Sequence, residues 1–205
     1  MLVSRRGFRA FTEYDLGANL RNFQAQLRKE IESDSSVATT DEEVYVRQKV
    51  EAKTLPGINF DTDNITITQR EEQISARYFP NSFMVDEGRS YPKPVVTFHL
   101  PFTGDPELLR CCPSTRLMVS EEVLVENGCV LFDAINFNND AEQVAKSRDE
   151  TVKHLTEMAG YLNSDIAAYN SQLEALVRDA VKNAKVKFKD QSDFLDKLGN
   201  KPKNG

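Results

Sequence analysis

Three cysteines in 205 residues are too few, and odd in number, for a disulfide framework, which points to a reducing compartment. The two histidines, His99 and His154, lie in different segments, and no Cys-x-x-Cys occurs, so a zinc site would have to gather its ligands from scattered positions. Nine glycines are dispersed, and none forms the strand-to-helix loop that cradles a phosphate. Long apolar runs are missing too. A secretion signal needs about seven apolar residues behind its basic start and a membrane span about 20, and stretches such as Cys129–Phe132 fall short of both. A soluble, cytoplasmic protein without membrane association is expected. Positive charge is scarce: 26 lysines and arginines against 32 acids leave a net charge of −6. That balance excludes a uniformly basic nucleic-acid binder while leaving room for a local basic patch.

What is present is pattern. Leu16, Leu20, Phe23, Leu27 and Ile31 recur at helical spacing, and Ser33-Asp34-Ser35-Ser36 ends that helix. Thr40 with Glu43 reads as a capping box opening a second helix from Asp41 to about Lys53, which Pro56-Gly57 stops. From about Ile58 the period changes to two. Ile65–Ile67, Gln73–Phe79, Val95–Phe102, Arg116–Val119, Val123–Val125 and Cys129–Phe137 read as short strands, with Glu126-Asn127-Gly128 as a hairpin turn. Strands joined by tight turns imply a mostly antiparallel sheet. Helical spacing returns after Asp140. Val152, Leu155, Ala159, Leu162, Ile166 and Tyr169 step as a heptad seam, Asn170-Ser171 predicts a break or bend, and Leu173 to Phe188 line a second helix. Gly199 is the expected cap, and Lys201–Gly205 a frayed tail. The expected class is α+β: N-terminal helices over 1–56, an antiparallel β region over 57–138, and a helical hairpin or kinked long helix over 139–205, in one compact domain.

Four motifs invite chemistry. Asp61-x-Asp63-Asn64 resembles the start of a calcium loop, but Thr66 stands where that loop needs glycine, and a turn before a strand explains it equally. Cys111, Cys112 and Cys129 have only His99 as a base in their region, and buried apolar thiols are the simpler reading. Glu51-x-Lys53 with Asp41 upstream matches the metal-binding core of many nucleases, whose motif sits on strands, whereas Val46 and Val50 give this segment helical spacing. Lys182, Lys185, Lys187 and Lys189 open a stretch to Lys203 with seven lysines against three aspartates, a surface that could follow a phosphate backbone. The alternative is a solvated helix face near a cationic C-terminus.

The run Val96-Thr97-Phe98-His99-Leu100-Pro101-Phe102-Thr103-Gly104-Asp105-Pro106-Glu107-Leu108-Leu109 is followed by Pro113-Ser114-Thr115. With Asn139–Glu142, Tyr161–Ile166, Tyr169-Asn170 and Leu195–Gly199, it resembles a region of a group of uncharacterised bacterial proteins. The resemblance covers about 95–199, roughly half the chain. In that group the region is an N-terminal module followed by a variable C-terminal effector domain, sometimes restriction-endonuclease-like, which implies a role in defence against foreign DNA. The sequence ends where that domain would begin, which implies an N-terminal module or a stand-alone relative. No catalytic residue is carried over, and Cys111-Cys112 stands where relatives are aromatic or polar. The expected function is therefore a non-catalytic interaction, sensor or assembly module without a cofactor. It would meet a protein partner or itself through the seam from Val152 to Tyr169. A nucleic-acid accessory domain using Lys182, Lys185, Lys187 and Lys189 and a metal-dependent hydrolase built on Glu51 and Lys53 are the alternatives.

Overall fold

Residues 7–197 are described by a computed structural model, in which short strands precede and follow the first two helices and a 3-10 turn, Ser35–Ala38, separates them. The elements are β1 (Phe8–Arg9), β2 (Tyr14–Asp15), α1 (Leu16–Ser33), α2 (Glu42–Lys53), β3 (Asn59–Phe60), β4 (Thr66–Ser75), β5 (Ser90–Thr103), β6 (Cys111–Cys112), β7 (Glu122–Glu126), β8 (Cys129–Ile135) and α3 (Ala141–Lys197). The class is α+β with a long C-terminal helix. Among the described residues no helix is long and apolar enough to cross a membrane. The first six residues, Leu198, the cap assigned to Gly199 and the Lys201–Gly205 tail lie outside the described residues. The chain divides into two compact units. One takes the described part of Met1–Leu16 with Pro56–Ser164; the other takes Gly17–Leu55 with the described part of Asp165–Gly205.

In the first unit a six-stranded sheet runs β1-β7-β8-β5-β3, with β4 also on β5, and every pairing is antiparallel; β2 and β6 form a separate parallel pair. β5 is the centre, paired along Ser90–His99 with β4 and along Val95–Pro101 with β8. It tolerates three prolines for a directional reason. Its even-numbered residues turn their backbone groups toward β8: Pro94 O accepts from Asn136 N–H at 2.9 Å, and Phe102 N–H donates to Gly128 O at 3.1 Å. The missing N–H groups of Pro92 and Pro94 therefore fall on the β8 side before that ladder begins. Asn127 and Gly128 both take positive φ, as a two-residue hairpin between β7 and β8 requires. Arg116–Val119 is irregular rather than a strand; Ile65 precedes β4, Thr66-Ile67 and Gln73–Ser75 belong to that one strand, and Ala76–Tyr78 form a 3-10 turn after it.

The second unit collects α1, α2 and the later part of α3. Leu20, Leu27 and Ile31 of the α1 stripe are buried. Asp34 ends α1 by accepting from Ser36 N–H and Oγ–H and from the buried Tyr45 hydroxyl at 2.8 Å. These hydrogen bonds, Ser36's first, hold its carboxyl down to about 2. Asp41, one residue beyond the expected Thr40, caps α2 by accepting from Val44 N–H at 3.1 Å, and Glu43 reaches Arg178 instead.

Instead of two helices meeting at Asn170-Ser171, α3 is continuous, and both residues lie inside it. Asn170 does not turn the chain because its amide is engaged elsewhere. In the second unit it accepts from Leu55 N–H at 3.1 Å and donates to Leu55 O at 2.9 Å. Asn163 repeats the device in the first unit, accepting from Ile58 N–H and donating to Ile58 O, both at 2.8 Å. Gly57 has to be glycine there, since a Cβ would run into the Asn163 carboxamide.

Two outcomes follow from this packing. Asn163→Ala orphans both backbone groups of the buried Ile58 and is expected to cost about 1–3 kcal/mol in urea unfolding, with faster hydrogen exchange at the Ile58 amide. Asp34 has a folded pKa below its ordinary 3.8, so its contribution is full above about pH 4 and is lost as pH falls toward about 2. Asp34→Asn is expected to flatten the acid limb of the stability curve over that window, measured by urea titration at stepped pH.

Candidate functional site

Among the described residues, Thr97 and Asp133 are the buried polar positions, and they sit opposite each other on β5 and β8. Side chains alternate across a sheet, so the odd-numbered residues of both strands share a face. On that face Thr97 Oγ1 donates to Asp133 Oδ1 at 2.6 Å. Arg70, on β4, brings its guanidinium to the same carboxylate, with Nη2 2.8 Å from Oδ2 and Nη1 3.3 Å from Oδ1, and also donates to Thr97 Oγ1. Arg70 Nε donates to Glu72 Oε1 at 2.6 Å. The Asp133 side chain is wholly buried, so its charge is sustained by this fork. The hydrogen bond to Asp133 first, and then that to Glu72, raises the guanidinium's already high pKa.

Farther along the same face, Thr68 Oγ1 and His99 Nε2 lie 3.0 Å apart. The His99 ring is half-buried. The arrangement is that of a structural polar layer: Arg70 and Asp133 neutralise each other, and the hydroxyl of Thr97 is spent on the carboxylate. No group of three or more metal-ligating side chains gathers among the described residues. Cys111 is buried and Cys112 and Cys129 are half-buried, and none of the three is in a disulfide.

The residues singled out in the sequence disperse over both units. Leu155, Ala159 and Leu162 are buried in the first unit, Ile166 and Tyr169 in the second, and Val152 is half-buried. Their spacing marks a side of α3 that the chain itself largely covers. Lys182, Lys187 and Lys189 are exposed, while Lys185 Nζ is 2.7 Å from Glu42 Oε2. Lys182, Lys185 and Lys189 share a helix side by their three- and four-residue steps, but Asp193 continues the same row, and Lys187 points elsewhere. Lys201 and Lys203 lie outside the described residues.

Glu51 and Lys53 are on a helix, not a strand; Lys53 Nζ pairs with Glu30 at 2.9 Å, and Asp41 is spent as a cap. A strand-borne metal core is thus not formed by these residues. Asp61 Oδ2 accepts from Asn64 in the turn before β4. Arg70 and Asp133 are absent from the sequence-derived candidates. The available signal was a carboxylate inside the apolar run Val130–Ile135, which demands a cationic partner when buried.

No protein-family model, curated protein or solved structure matches this chain.

Removing one member of a buried pair strands the other. Asp133→Ala is expected to cost about 3–5 kcal/mol in urea unfolding, whereas Arg70→Met combined with Asp133→Leu should recover most of that loss. A double-mutant cycle on the full chain measures the coupling.

Proposed function

We propose that the chain is a non-catalytic interaction and assembly module, the part of a bacterial defence protein that senses or assembles alongside a variable effector domain. The observation that supports assembly is at the end of α3. Leu173, Val177, Ala180, Val181 and Ala184 are buried, but Val186 and Phe194 are 55% and 62% exposed, and Leu195 is exposed too. Val186, Asp190 and Phe194 follow one another at four-residue steps and share a side of the helix.

The charges along this segment are segregated: lysines at 182, 185, 187 and 189 precede aspartates at 190, 193 and 196. That order suits an antiparallel contact with a second copy. A two-fold axis at Asp190 sets Val186 against the second copy's Phe194 and Lys187 against its Asp193. The two Asp190 carboxylates would then meet at the axis, which keeps the association weak.

Sedimentation equilibrium over a wide concentration range tests this reading. A reversible dimer is expected, reduced to monomer by Phe194→Ser and tightened by Asp190→Leu. A strict monomer at millimolar concentration overturns it. So does DNA binding at low salt that disappears in Lys182→Glu/Lys187→Glu/Lys189→Glu without any dimer, which would make this a nucleic-acid surface.

A further inference from the structure

One member of the α1 stripe is not covered. Phe23 is 48% exposed, although Leu20 and Leu27 on either side of it in the pattern are buried. Beside it, within the second unit, lies a groove of about 310 Å³ whose walls include Phe23 and Leu27 of α1, Ala52 of α2, Leu55, and Tyr169 of α3. Leu55 is held in place by the Asn170 carboxamide, which occupies both of its backbone groups.

Tyr169 supplies the second observation. Only 5% of the residue is exposed, and among the described residues its hydroxyl has no hydrogen-bond partner. No buried side-chain oxygen or nitrogen lacks a partner among the described residues, so this oxygen is not sealed in, and Tyr169 is one of the residues that line the groove. Burial alone raises the phenol's pKa, with no neighbouring charge contributing. The charged residues that line the groove, Glu30 and Lys53, are paired with each other and offer no net charge to a ligand.

A cavity of this volume lies at the small end of the roughly 300–1,000 Å³ range of ligand pockets and suits one or two fused rings. We propose that the groove binds a small uncharged aromatic molecule, its ring against Phe23 and its single polar group hydrogen-bonded to Tyr169 Oη. This site goes beyond the assembly reading and does not depend on it, because a monomer can bind at the groove and a dimer can leave it empty.

Indole and indene, which share a shape and differ in the ring N–H, are the probes. Titration of the ¹⁵N-labelled full chain with indole is expected to give saturable shifts at Phe23, Ala52 and Tyr169. Tyr169→Phe should weaken indole about five- to tenfold, the worth of one hydrogen bond, and leave indene unchanged. Ala52→Leu, at an exposed helix position, should fill the groove and abolish binding of both with the fold intact. Absence of saturable shifts up to the solubility limit of indole overturns the proposal, as does undiminished binding in Ala52→Leu. Equal loss of indole and indene in Tyr169→Phe overturns the assigned hydrogen bond.

Discussion

The carboxamides of Asn163 and Asn170 each do for one residue what a neighbouring β-strand would do for many. Each offers an acceptor and a donor at peptide-like spacing and thereby satisfies the N–H and C=O of a single backbone residue, Ile58 and Leu55 respectively. In the first unit this lets Ile58 be buried just before β3 without leaving unsatisfied polar groups, and it demands glycine at position 57. The backbone of Gly104 then approaches closely as well: a Cβ there would lie 2.5 Å from Gly57 O. In the second unit the same chemistry fixes the stretch after α2 that supplies Leu55 to the groove. Asparagine is therefore a structural necessity at both places, and its neutrality matters. An aspartate could accept from the N–H but would have nothing to donate to the carbonyl.

The Arg70–Asp133–Thr97 layer belongs to a different kind of economy. A buried carboxylate is seldom a gain in stability over an apolar side chain of similar size, because desolvation offsets much of the attraction. Its value lies in register. Sliding β4 by one residue along β5 would send Arg70 to the opposite face of the sheet and leave Asp133 uncompensated, which adds to the cost of misplacing the buried Ile74 of the same strand.

Much of the fold was legible because it rests on local rules. The α1 stripe, the Asn127-Gly128 hairpin and the alternation in β5 all follow from spacing and turn chemistry. Reading failed where a distant partner outweighed a local preference. Asn170-Ser171 favours a turn in isolation, yet Asn170 stays helical because its side chain is bonded to Leu55, 115 residues away in sequence. Thr40 and Glu43 match a capping box, but Glu43 serves Arg178 and the neighbouring Asp41 caps the helix. The groove at Phe23 and Tyr169 had no sequence signature, since three helices and the segment after α2 contribute to its walls, and the exposure of a single phenylalanine becomes visible only once its neighbours are buried.

β4 is ten residues long and, among the described residues, pairs with β5 alone, so its outer edge keeps a row of unmatched peptide groups. An edge of that length is a template on which other chains can stack and aggregate. Three successive charged residues, Arg70-Glu71-Glu72, sit at its middle. The arginine that anchors the interior of the sheet thus belongs to the tripeptide that discourages sheet-to-sheet growth at its margin, so colloidal behaviour and internal order share a few side chains.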